Sequence, residues 1–120
     1  MTDIQFTPNF NLTEFLHDGD TPPNLVQVEN LHRLAWALQA IRDIVHSPII
    51  INSGYRSEAH NKAVGGVKNS LHRKGLAADI VVLDMQPKAF QHFMTNWSGG
   101  MGMYEDYTHL DIRGSRARWI

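Results

Sequence analysis

The sequence predicts an α+β domain, with helices packed on one face of a mainly antiparallel sheet and polar chemistry gathered on the other. Three observations predict it. Apolar residues recur at Leu31, Leu34, Ala35, Leu38, Ile41 and Val45, a spacing near 3.6 that marks one long amphipathic helix. Two short apolar runs, Ile49–Asn52 between Pro48 and Gly54 and Ala77–Leu83 after Gly75, read as buried strands. Tyr107–Ile112 alternates strictly, which puts Tyr107, His109 and Asp111 on one face of a third strand. A chain of 120 residues suits a single domain, spanning residues 1–120 with an extended lead-in over 1–23 and a tail over 114–120.

In chain order, the lead-in is polar with scattered Phe6, Phe10, Leu12, Phe15 and Leu16, which are expected to pack back on the core. One short helix is predicted around Thr13–His17, with Asn11 or Thr13 as its cap. The long helix runs from about Asn24 to His46 and stops at Ser47-Pro48. After the Ile49–Asn52 strand, Ser57 can cap a short helix over Glu58–Val64 that Gly65-Gly66 ends. A loop, Val67–Leu71, then delivers His72, and Ala77–Leu83 follows as the central strand. Pro87–Trp97 carries Phe90, Phe93, Met94 and Trp97 at helical spacing, with Ser98-Gly99-Gly100 as its stop. Gly100–Tyr104 and Tyr107–Arg113 then form a hairpin around the two-residue turn Glu105-Asp106.

Composition narrows the function. There are 11 Lys and Arg against 12 Asp and Glu, a near balance that argues against nucleic acid as the main partner, although Arg113, Arg116 and Arg118 make a local basic end. That end is read as solvated. No apolar run approaches the ~20 residues of a membrane span, and Met1–Gln5 lacks a basic segment leading into an apolar one, so no signal peptide is expected and synthesis is expected to be cytoplasmic. No membrane partner and a monomer are expected. Cysteine is absent, so a bound metal must be held by imidazole and carboxylate.

One residue does not belong where it stands. Asp79 lies inside the apolar run Ala77–Leu83, and an ionised carboxylate buried there costs several kcal/mol unless a cation compensates it. A metal shared with His72 would do so. The alternative is a metal-free ion pair or hydrogen bond between the two at the strand entry. His109 offers a second imidazole from another strand. His72, Asp79 and His109 thus make two imidazoles and one carboxylate, the ligand count of a catalytic zinc site that keeps a fourth position open. A water bound there needs a nearby carboxylate to take its proton, and Asp106, three residues before His109, stands on a turn that can supply it. Glu105 is the competing base. Asp111 can orient an imidazole or pair with Arg56 or Arg113. The other five histidines, His17, His32, His46, His60 and His92, are read as surface or capping residues.

The pattern Ser70-x-His72-x-x-Gly75-x-Ala77-x-Asp79 followed by Asp106-x-x-His109 resembles the signature of peptidase family M15, the zinc D-alanyl-D-alanine carboxypeptidases and dipeptidases. Ser53-Gly54-Tyr55-Arg56-Ser57, Asn61-x-x-Val64-Gly65-Gly66 and Phe10-x-Leu12-x-Glu14-Phe15 resemble further stretches of its short members, so the likeness runs from about Phe10 to Arg113. Asp at 106, where the dipeptidase branch usually has Glu, agrees with the carboxypeptidase and endopeptidase branches. The resemblance implies a hedgehog/DD-peptidase-like fold and one zinc ion held by His72, Asp79 and His109. It also implies Asp106 as general base, and Arg56 as a catalytic and substrate-binding group for a carbonyl or carboxylate, where the plain alternative is a surface arginine. Ser70 either bonds substrate or fixes its loop. The substrate implied is the D-amino-acid-containing peptide of bacterial peptidoglycan, cleaved by a cell-wall-degrading carboxypeptidase or endopeptidase similar to phage endolysins and tail-associated enzymes. The alternative from another class is a wall-binding or virion structural module that keeps the metal-site fold without cleaving.

Overall fold

The computed structural model describes residues 3–120, so the first two residues of the expected lead-in lie outside it. The lead-in is not simply extended. Gln5–Thr7 (β1) and Phe10–Asn11 (β2) form a small antiparallel hairpin, followed by a 3-10 turn, Leu12–Phe15. Asn11 N–H donates to the Glu14 carboxylate at 2.6 Å, closing that turn from the start. Phe6, Phe10, Leu12 and Phe15 are all buried in the main core, as their spacing in a polar segment led one to expect.

The long helix is Leu25–Val45 (α1), and both its ends have local causes. Asn24 and Gln27 bond each other's backbone N–H at 2.9 and 2.7 Å, and His46 turns left-handed (φ 56°) to end it before Pro48 is reached. Its buried stripe is Leu31, Leu34, Ala35, Leu38 and Ile41, the leucine and isoleucine side chains each contributing about 1.5–3 kcal/mol of apolar burial at full desolvation. Gln39 shares the buried face although it is polar. Its amide oxygen accepts from Thr7 Oγ1 (2.8 Å) and Asn9 N (2.9 Å), which pins the β1–β2 hairpin to the helix.

Ile49–Ser53 (β3), the helix Glu58–Ala63 (α2) capped by Ser57, and Ala77–Val82 (β4) come next. Pro87–Phe93 (α3) is shorter than its apolar spacing suggests. After Phe93 the chain continues in successive tight turns, with Thr95 N and Thr95 Oγ1 both bonding His92 O and Trp97 N bonding Met94 O. The Trp97 indole N–H meanwhile bonds Gly100 O and Asp111 O at 3.1 Å each. Those turns set the indole against the next two strands, Gly100–Met103 (β5) and Thr108–Asp111 (β6).

The residues read as a tail contain a final strand, Ala117–Trp119 (β7). The five-stranded sheet has the order β3-β4-β6-β5-β7, so β6 lies at the centre and β4 beside it. Three pairings are antiparallel and β5–β7 is parallel, which makes the sheet mixed. Ala78, Ile80 and Val82 of β4, Leu110 of β6 and Met101 of β5 share one core with α1 and with Phe90 of α3. By strand alternation Asp79, His109 and Asp111 face the other way. The architecture is α+β. The arginines of the C-terminal segment are not all solvated: Arg118 bonds the carbonyls of Gly99, Ala117, Thr95 and Trp97, and only Arg116 stands exposed.

Candidate metal centre

Register brings the first two groups together. Asp79 of β4 and His109 of β6 are directly paired across the antiparallel ladder, so their side chains leave the same face side by side. His72 arrives from a 3-10 turn, Leu71–Lys74, at the end of the Val67–Leu71 loop. Ser70 Oγ accepts the His72 backbone N–H at 3.2 Å, Gly75 closes the turn left-handed (φ 75°), and Arg56 N–H bonds His72 O at 3.0 Å. His72, Asp79 and His109 are all buried, and one ligand atom from each lies within 4.8 Å of the others.

The outward nitrogens of both imidazoles are committed. His72 Nδ1 lies 2.8 Å from Gly54 O, and His109 Nε2 lies 2.8 Å from Asp111 Oδ2. A carbonyl oxygen only accepts. Burial pushes the Asp111 carboxyl up, but hydrogen bonds from His109, Arg113 and the Gly100 and Arg113 backbone outweigh it and hold it well below the usual carboxylate range, so it too only accepts. Both outward nitrogens therefore carry the proton. In neutral rings this leaves His72 Nε2 and His109 Nδ1 with bare lone pairs, aimed at Asp79 Oδ1 from 3.2 and 3.1 Å. Three acceptors facing one another need a proton or a cation between them. Neutral imidazoles locked by a carbonyl and a carboxylate, converging on a third carboxylate, are the donor set and outer support that zinc takes.

Without a metal, protons make up part of the deficit. Burial lowers the affinity of His109 for a proton, but the bonds to Asp111 and Asp79 win and its pKa is raised. Burial likewise pushes Asp79 up, and the hydrogen bonds from His109 and His72 pull it far below the ordinary carboxylate range.

Arg56 is no surface arginine. Its Nη2 lies 3.2 Å from Asp79 Oδ2, its Nε donates to Ser53 Oγ at 3.1 Å and its Nη1 to Asn61 Oδ1 at 3.3 Å. Asp111 does both things the sequence allowed, bonding His109 and taking a two-pronged contact from Arg113 Nε and Nη2 at 2.9 and 2.8 Å. Gly100 makes room for it, since a Cβ there would collide with the Asp111 carboxylate. Arg56, His72, Asp79, His109 and Arg113 border a cleft of about 460 Å³. Asp106 is exposed on the β5–β6 turn, which Tyr104 N–H closes onto Tyr107 O, and it does not line the cleft. Glu105 borders a separate groove with Lys88 and Gln91.

The aromatic wall was not foreseen. Trp119 packs 4.9 Å from the His109 ring, lies 5.2 Å under the Arg113 guanidinium and donates its indole N–H to Tyr104 OH at 3.1 Å, while Tyr104 and Tyr107 stack at 4.5 Å. Gly102, paired with both His109 and Trp119, leaves the space that the indole fills.

The sequence model of the peptidase M15 family matches residues 8–111. This chain belongs to the M15 peptidase family. It is also 37% identical over 82 residues to the zinc D-Ala-D-Ala carboxypeptidase of Streptomyces albus G, a match covering 62% of this chain and 32% of that protein. The chain thus matches about a third of its relative's length. In this M15 peptidase the family match takes in His72, Asp79, His109, Asp106 and Asp111, but stops short of Trp119.

Proposed function

We propose that this M15 peptidase is a zinc-dependent hydrolase of D-amino-acid-containing peptides in bacterial peptidoglycan, a carboxypeptidase or endopeptidase working as one domain of the hedgehog/DD-peptidase type. The observation that carries the reading is the convergence of His72 Nε2, Asp79 Oδ1 and His109 Nδ1 with each ring's other nitrogen already spent. The similarity to the D-Ala-D-Ala carboxypeptidase of Streptomyces supports the substrate class. A zinc ion held by these three residues supplies a Lewis acid that polarises the scissile carbonyl and makes water acidic enough to attack near neutral pH.

The chain's own groups do the rest. Gly54 O and Asp111 keep the two imidazoles in the tautomers that present lone pairs inward. Asp106 takes the proton of the attacking water and passes it to the leaving amine. Its side chain is exposed and outside the cleft lining, so what supports it over Glu105, which shares the turn but borders the other groove, is its spacing three residues before His109, as in the family signature. Arg56 offsets the charge of Asp79 and, from the same wall of the cleft, meets the substrate carbonyl or carboxylate. Ser70 borders the cleft as well, and its hydroxyl oxygen steadies the His72 turn.

The test is digestion of purified muropeptides by metal-stripped protein with and without added zinc, read by mass spectrometry. Zinc-dependent loss of a terminal D-alanine, or scission of a cross-link, is the expected result, and it separates the two activities. A zinc-loaded protein that leaves every muropeptide mass unchanged overturns the reading in favour of a non-catalytic wall-binding or virion module.

A further inference from the structure

Away from the cleft, a second set of metal-ligating side chains meets. His17 and Asp20, in the segment after the 3-10 turn Leu12–Phe15, and His60 of α2 each offer one ligand atom, and these lie within 4.8 Å of one another. His60 Nδ1 is 2.9 Å from Asp20 Oδ2. The Asp20 carboxylate is fixed further by Ser57 N at 3.2 Å and Ser57 Oγ at 2.8 Å, and its side chain is only 9% exposed. His17 is exposed, and its ring lies 4.3 Å from that of His60.

We propose that His17, Asp20 and His60 form a second divalent-cation site, sharing no ligand with the first, for zinc or a similar borderline ion such as cobalt or nickel. Zinc bonds to nitrogen and oxygen of about 2.0–2.1 Å put neighbouring donors roughly 3–3.5 Å apart. Asp20 and His60 already sit close to that separation, and rotation of the exposed His17 side chain closes the remainder. Imidazole and carboxylate together select a transition ion over magnesium or calcium, which take oxygen-only sets. An Asp20–His60 pair alone accounts for two of the three groups. It leaves unexplained why a second imidazole is laid on the first, an arrangement that is unfavourable if both rings are protonated and favourable if both are neutral ligands. Exposure of His17 leaves the outer side of the site to water.

An ion there would tie the N-terminal segment to α2, directly after the Gly54–Ser57 stretch. That stretch supplies both Arg56 and the carbonyl that orients His72, and Tyr55 N–H already bonds Phe15 O across the same junction at 2.8 Å. The site is therefore a brace and not a second reaction centre.

The experiment uses full-length protein without a histidine tag, stripped by chelator and titrated with zinc, counting equivalents that survive gel filtration. His17→Ala is the variant, because an exposed side chain can be removed without unfolding the chain. His17→Ala is expected to retain one equivalent fewer than wild type, and to lose part of the zinc-induced rise in melting temperature. Equal retention by wild type and His17→Ala overturns the proposal. The two sites are separable in this readout: wild type holding one equivalent and His17→Ala none would uphold the second site while refuting the first.

Discussion

Asp111 bears on the candidate centre through His109, whose outward nitrogen it holds. It is fully buried; one oxygen accepts from Gly100 N, Arg113 N and Arg113 Nε, and the other faces Arg113 Nη2 and His109 Nε2. Asp111→Asn keeps the shape and removes the charge, so zinc should bind about 10–100-fold more weakly in a chelator competition. An unchanged affinity would mean that the Asp111 charge does not hold the His109 imidazole. Asp106→Asn is a different case, since it leaves the donor set intact. It should keep zinc and lose turnover by about 100-fold or more, the scale of general acid–base catalysis, while Glu105→Gln stays near wild type. The reverse pattern would move the base by one residue. Titration behaviour follows from the same contacts. Asp79 and Asp111 have depressed folded-state pKa values, so their contribution to stability is complete above about pH 4 and drains as pH falls through those values. His109 has the opposite sign: raised in the metal-free chain, it contributes fully below about pH 6.5, and that contribution is lost as pH rises through its folded value. Zinc uptake needs neutral imidazoles and strengthens with pH. The gap in melting temperature between zinc-loaded and metal-free protein should therefore widen from about pH 5.5 to 7.5, and a narrowing gap in calorimetry would contradict this account.

At the scale of elements, what reads from sequence is what local chemistry decides. The α1 stripe, the Ser57 cap, the β3 run after Pro48 and the Glu105-Asp106 turn each follow from spacing or capping within a few residues. Leu34 is wholly buried in that stripe, and Leu34→Ala should cost about 2–5 kcal/mol in urea unfolding of the metal-free chain. A loss under about 1 kcal/mol would show that α1 is not packed as described. Elements fixed by distant partners are not legible in this way. β7 is three residues long, too short for alternation to mark, and exists because Gly100–Gly102 lie alongside it in parallel. α3 ends early because the Trp97 indole is needed by β5 and β6, although the spacing of Phe93 and Trp97 promised another turn.

On the scale of the whole molecule, the sheet collects on one face residues that the sequence scatters. That Asp79 and His109 share this face is legible from an anomalous carboxylate in an apolar run and from strict alternation in another. Trp119 is not, because nothing near it in the sequence refers to His109. Nor is the meeting of His17 and Asp20 with His60, which depends on the N-terminal segment folding back over α2. The sheet face and the His72 turn together are expected to build one zinc site. Anomalous diffraction at the zinc edge from crystals of zinc-loaded protein tests it most directly. A peak bonded at about 2.0–2.1 Å to His72 Nε2, an Asp79 oxygen and His109 Nδ1 is expected. Zinc-loaded crystals with no anomalous density among those three side chains would contradict it.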